Sequence, residues 1–103
     1  MYNIIFEETA VNDLKSIFDY ISKNLLNEQA SKKLSNKIKQ EIISLKNHPL
    51  SNPIFQSKKV RKHQYRILIV NNFIVFYWIN DNENRIIIAR VLYSKRDFDD
   101  LLN

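Results

Sequence analysis

The chain has 103 residues, 45% hydrophobic and 26% charged, the balance of one folded domain over 1–103 with no length left for a second. With neither glycine nor cysteine, it excludes glycine-rich phosphate loops, dinucleotide fingerprints, disulfides, thiol nucleophiles and thiolate metal sites. The net charge of +5 arises in the middle, because residues 42–80 hold six bases and no acid, a block suited either to an anionic partner or to a solvated loop.

At the start, YNIIFE (2–7) is short and apolar-rich and predicts a strand. Val11, Leu14, Phe18, Ile21 and Leu25 then recur at three- and four-residue steps, with Ile17 widening the stripe. An amphipathic helix over 8–26 follows from that period. Thr9 is its candidate N-cap, and Asp13 lies near its positive end. Asn27 can cap a second helix whose stripe runs through Ala30, Leu34, Ile38, Ile42 and Leu45 to about residue 46. Pro49 and Pro53 forbid its continuation. Two helices joined by almost nothing predict an antiparallel hairpin.

HPLSNPIFQSKK (48–59) reads as a connection anchored by Ile54 and Phe55. The chemistry then turns β-branched and aromatic, and strands are expected over 60–70, 73–80 and 85–93. Asn71-Asn72 suits a two-residue turn because asparagine tolerates positive φ, and NDNEN (80–84) makes a longer one. Residues 95–102 are expected to close the sheet with a helical turn. The order β-α-α-β-β-β is α+β: an N-terminal strand, an antiparallel two-helix hairpin, then a mostly antiparallel sheet of three C-terminal strands.

Strict alternation places Lys62, Gln64 and Arg66 on one face of their strand and His63, Tyr65 and Ile67 on the other. On the last strand, Ile86, Ile88, Arg90 and Leu92 share a face, opposite Ile87, Ala89, Val91 and Tyr93. Arg90 therefore interrupts an apolar surface and is expected either to pair with a carboxylate or to face a ligand. Arg96, beside Lys95 and ahead of Asp97, offers a planar fork that binds phosphate in a bidentate manner or starts a helix with an ion pair. His63, the one histidine inside the basic block, is placed to move a proton near neutral pH or simply to sit at the surface. With only His48 and His63, no metal site is assembled, and no cofactor is expected. No apolar run approaches the ~20 residues of a membrane span, and MYNIIFEET lacks a basic region ahead of an apolar stretch. The expectation is a soluble cytoplasmic domain that binds phosphate or a protein partner.

Three segments carry a resemblance to a known family. A-V-N-D-L-K-S-I-F-D-Y-I (10–21), V-R-K-H-Q-Y-R-I-L-I (60–69) and I-I-I-A-R-V-L-Y-S-K-R-D (86–97) resemble, in order and spacing, the RelE/ParE toxins of bacterial type II toxin–antitoxin modules. The likeness covers essentially the whole chain, and it implies a RelE/ParE-like fold and a cognate antitoxin as partner. RelE-like members cut mRNA on the ribosome, which would make Arg66 and Arg96, with His63 or Tyr93, the catalytic set. Two departures weigh against that activity. The arginine those ribonucleases carry near the start of the next strand falls at about Phe73, and their C-terminal tyrosine at about Leu102. Each lost transition-state group typically costs several kcal/mol of barrier. ParE-like members poison DNA gyrase and need no catalytic residues. D-L-x-x-I-x-x-Y-I (13–21) and R-V-L-Y-S-K-R-D (90–97) are more similar to that branch, so the gyrase-directed reading is preferred. Lys58, Lys59, Arg61, Lys62, Arg90 and Lys95 are then the expected target-binding cations. A third reading is a degenerate toxin that only binds its antitoxin.

Overall fold

The computed structural model describes residues 2–24, 27–94 and 101–102. Its elements run β1 (Asn3–Phe6), α1 (Glu8–Asn24), α2 (Glu28–Ser44), β2 (Arg66–Val70), β3 (Phe73–Asn80) and β4 (Arg85–Tyr93). The strands form one sheet in the order β1-β4-β3-β2, with β1 parallel to β4 and the other pairs antiparallel. This is the expected α+β order and the expected mostly antiparallel sheet.

The helices form because each presents one apolar stripe to the same sheet face. Leu34, Ile38 and Ile42 of α2 are buried, and Ala10 of α1 is fully enclosed. Leu14, Ile17, Phe18 and Ile21 join them over Val75, Tyr77, Ile86, Ile88 and Val91. Burying each such aliphatic side chain contributes about 1.5–3 kcal/mol before ordering entropy is subtracted. Asn27 caps α2 as expected, its side-chain oxygen accepting from the Ala30 amide at 3.0 Å. The Ser31 hydroxyl meets the Phe18 carbonyl at 3.4 Å, so the end of α1 lies beside the start of α2 in an antiparallel hairpin. The opposite sheet face is covered differently. Tyr65, Ile74, Phe76, Ala89, Leu92 and Leu102 make a second cluster there, with Phe55, Ile67, Trp78 and Leu101 packed against it.

Both expected turns depend on asparagine. Asn71 (φ 53°) and Asn84 (φ 54°) are the described non-glycine residues at positive φ, where a glycine-free chain has few alternatives.

Three expectations need correction. The strand expected over 60–70 begins only at Arg66. Residues 53–55 double back along it instead, with the Phe55 amide donating to the Tyr65 carbonyl at 2.8 Å and the Ile67 amide to the Pro53 carbonyl at 3.0 Å. The preceding stretch, with Lys58, Lys59, Val60 and Lys62 all exposed, has no core to face. Second, strict alternation fails on β4, where Phe76 pairs with Arg90 but Tyr77 pairs with Ile88, making Ala89 the extra residue of a bulge. Val91 consequently joins Ile86 and Ile88 on the helix side, while Arg90 shares the face of Phe76 and Leu92. Third, Thr9 lies inside α1 and is no cap; its hydroxyl donates to the Ala89 carbonyl at 2.8 Å. The expected helical turn over 95–102 falls largely on residues outside those described.

Candidate functional site

The bulge creates the first cluster of polar side chains. Beyond Phe6, β1 no longer pairs with β4, so β4 would present bare backbone groups to its neighbour. The start of α1 takes over that edge. The Glu7 amide donates to the Ile88 carbonyl at 2.9 Å, Thr9 reaches Ala89, and the Val91 amide donates to Asp13 Oδ2 at 3.0 Å. Asp13 also receives both prongs of Arg90, Nε to Oδ2 at 2.7 Å and Nη2 to Oδ1 at 2.9 Å, while Nη1 donates to the Leu101 carbonyl at 2.9 Å. The Asp13 hydrogen bond, then its charge, outweighs burial and holds the Arg90 guanidinium above its ordinary pKa. Of the two fates expected for Arg90, carboxylate pairing is the one realised. Asp13 serves this pair and not primarily the helix dipole.

A second cluster lies at the other end of the sheet. An open cleft of about 530 Å³ runs between the start of β2 and the β3–β4 turn, lined by Lys62, His63, Gln64, Arg66, Trp78 and Asn80 among others. The His63 ring stacks flat on Trp78, with centroids 3.6 Å apart and planes 5° from parallel, and meets Tyr65 edge-on at 6.2 Å. Burial, then the Lys62 charge, lowers the His63 pKa, and only Glu7 opposes. Arg66 Nη1 donates to the carbonyls of Asn52 at 2.7 Å and Leu50 at 3.4 Å. Asn52 in turn donates to the Tyr77 hydroxyl at 3.2 Å, which donates to the Pro49 carbonyl at 2.8 Å. This chain of bonds fixes the loop that walls the cleft.

The remaining expected site residues scatter. Tyr93 is 41% exposed beside Phe73, in a separate groove against Ile17, Tyr20 and Ile21. Its row, at Phe73 of β3, lies a four-residue step from that of Arg66, at Tyr77, about 13 Å along the strand. Arg61 is bonded to Ser57 Oγ at 2.9 Å and to the Leu102 carbonyl. Lys58 and Lys59 are exposed on the 48–59 connection, and Lys95 and Arg96 lie outside the described residues. The structure thus brings together Lys62, His63 and Arg66, but not Tyr93. Sequence reasoning missed Trp78 and the partners of Arg90. Their signals were slight: the sole tryptophan, and the acid Asp13 set next to Leu14 of the first helix's apolar stripe.

A third surface is apolar. A groove of about 650 Å³ follows β1, whose outer edge pairs with no described strand, and includes Phe6, Phe18 and Ile43 together with Lys39, Lys46 and Arg85. Among the described residues, no helix is long and apolar enough to cross a membrane.

Comparison with known proteins gives the following. The family description "ParE toxin of type II toxin-antitoxin system, parDE" matches residues 4–98. No curated protein matches. Among solved structures, a chromosomal ParDE TA system from P. aeruginosa superposes with a TM-score of 0.74 at 18% identity, covering 92% of this chain and 98% of that one. An archaeal RelE–RelB complex from Pyrococcus horikoshii OT3 gives 0.61 at 13% identity, over 93% and 98% of the two chains. A RelB–RelE antitoxin–toxin complex from Methanococcus jannaschii gives 0.53 at 25% identity, over 88% and 91%.

Proposed function

The chain belongs to the ParE toxin family of type II toxin–antitoxin systems, and from that premise we propose that it arrests growth in the cytoplasm by binding DNA gyrase, as one domain neutralised by a cognate antitoxin. Gyrase is favoured over the ribosome by the match to the ParE family over residues 4–98 and by one geometric departure: Tyr93, one of the two alternative proton-transfer groups of a RelE-like cut, stands apart from Arg66, although His63 does not. Arg66 and His63 border one cleft while Tyr93 sits about 13 Å away along the sheet. General acid–base work needs its groups within hydrogen-bond reach of one phosphate. The position of the missing tyrosine, Leu102, is moreover a buried apolar anchor. An inhibitor that acts by contact requires none of this.

Arg90 leaves the proposed target-binding set, since Asp13 neutralises it. Lys58, Lys59 and Lys62, all exposed, remain as the cations proposed to face the target. The antitoxin is proposed to occupy the groove along β1. An open strand edge offers backbone pairing to an added segment, and Phe6, Phe18 and Ile43 offer it apolar anchorage. Lys39, Lys46 and Arg85 favour an acidic chain there.

The test is expression alone and together with the product of any short acidic reading frame found beside this one, read by gyrase supercoiling and by mapping mRNA ends. The expected outcome is inhibited supercoiling, DNA damage and intact mRNA, all relieved by the antitoxin. Codon-specific cuts that slow about 100-fold in Arg66→Ala would overturn the gyrase reading in favour of the ribonuclease. Absence of any growth effect would favour the degenerate toxin.

A further inference from the structure

We infer that the outer face of α2 binds duplex DNA through its phosphates, independently of base sequence. Between Glu28 and Glu41 this helix carries Lys32, Lys33, Lys37 and Lys39 and no acid, and all four lysines are exposed. Lys39 also borders the β1 groove. Among the described residues no carboxylate pairs with any of the four, although Glu28 and Glu41 stand one turn from Lys32 and Lys37.

The helix itself gains nothing from this placement. Helix α1 follows the macrodipole, with Glu8 in its first turn and Lys23 in its last. Helix α2 has no base in its last turn, where a cation stabilises, and sets Lys32 and Lys33 in its second turn, nearer the positive end. Lys33 and Lys37 lie one turn apart, where like charges repel. Packing uses Leu34, Ile38 and Ile42 on the buried side, so the lysines do not serve the core either. A charge pattern that works against its own helix is the kind of local conflict that marks a binding surface.

The shape of the face selects the ligand. At about 100° per residue, Lys32 and Lys39 fall on one side of it and Lys33 and Lys37 on the other, with Gln29, Asn36 and Gln40 exposed between them. The 17 residues of α2 make a rod of ~25 Å. Two rows of cations on a stiff rod match the two phosphate rows that border a groove of a duplex, and the amides between them can donate to phosphate and sugar oxygens. No aromatic residue occurs in α2 to stack an unpaired base, so a single strand gains only charge. The one large apolar side chain exposed on the helix is Ile43, near its end, which is too little for a lipid surface or a protein hot spot. This inference goes beyond the gyrase reading and does not rest on it.

Fluorescence anisotropy of a labelled duplex of about twenty base pairs, titrated with the full chain at 50 and 200 mM salt, tests the face. Four phosphate contacts predict affinity falling about 150-fold across that range. Lys33→Gln combined with Lys37→Gln should weaken binding by about tenfold at the lower salt and reduce the fall to about twelvefold, with unchanged circular dichroism. Lys15→Gln combined with Lys23→Gln removes the same charge from exposed positions of α1 and should cost less than about twofold. Tighter binding of the unpaired strand than of the duplex, equal weakening by the two double variants, or a salt dependence that the α2 variant leaves unchanged would overturn the inference. The gyrase reading fails separately, in the supercoiling measurement, so the two failures are distinguishable.

Discussion

Arg90 and Arg66 each tie a strand to a neighbouring segment by donating to backbone carbonyls, yet their surroundings make them opposite kinds of residue. Around Arg90, Asp13 supplies a full negative charge and a bidentate match, and the same carboxylate caps the Val91 amide at the bulge. Around Arg66, the partners are the neutral carbonyls of Leu50 and Asn52. The first corner is electrically closed; the second is ordered but still cationic. A cation held by a carboxylate serves the fold, whereas one held by dipoles remains available to a ligand.

Removing the carboxylate tests the closed corner most severely. Asp13→Ala leaves Arg90 unpaired and the Val91 amide without its acceptor, both in a setting where the two side chains are only 21% and 14% exposed. A loss of about 3 kcal/mol is expected, toward the low end for a broken buried pair because some solvent still reaches it. Urea unfolding should show it directly, with a Tm drop of about 12 °C for a chain of this size. A loss below about 1 kcal/mol would make the pair an ordinary surface bridge and erase the contrast.

Exchanging each arginine for lysine sharpens the contrast at smaller cost. Lysine keeps the charge but not the fork, so Arg90→Lys should cost about 1–2 kcal/mol in the same unfolding measurement. Arg66→Lys should cost less, about 1 kcal/mol, because its bonds to carbonyls need one donor and not a planar pair. Equal losses at the two positions would mean that the bidentate fork on Asp13 adds nothing over single bonds to carbonyls, and the contrast would rest on charge alone.

How much of this contrast was legible in the sequence depends on which interactions are local. The helical stripes, the Asn27 cap and the asparagine turns follow from spacing and residue type, and they stand where expected. The acid-free block was visible as composition, and three of its members, Lys62, His63 and Arg66, meet in one cleft. The bulge was invisible, because nothing in I-I-I-A-R-V-L marks Ala89 as the residue without a partner; it arises where α1 replaces β1 along β4. That one extra residue moved Arg90 to the other face and made Asp13 its partner, a contact 77 positions apart. The late start of β2 has a similar origin, since pairing by residues 53–55 decides which part of 60–70 is held as strand.

The smallest expected effect concerns the open side of the comparison and its dependence on pH. Burial against Trp78 and the charge of Lys62 favour the neutral His63 ring, so its folded pKa lies below its unfolded value of 6.5. The unfolded chain then binds the proton more readily than the folded one. The stabilisation is therefore complete above pH 6.5 and is lost as pH falls through the folded value. His63→Phe retains an aromatic face for Trp78 but cannot titrate. Its stability should consequently decline less than that of the parent chain as pH is lowered from 7 through the acid side of 6.5, measured by urea midpoints at constant ionic strength. The Arg90 corner offers no counterpart in this window, because a guanidinium whose pKa is raised further stays charged throughout. If the parent and His63→Phe declined in parallel, the stack would be indifferent to the ring's charge, and the cleft would lose its claim to a neutral stacking face.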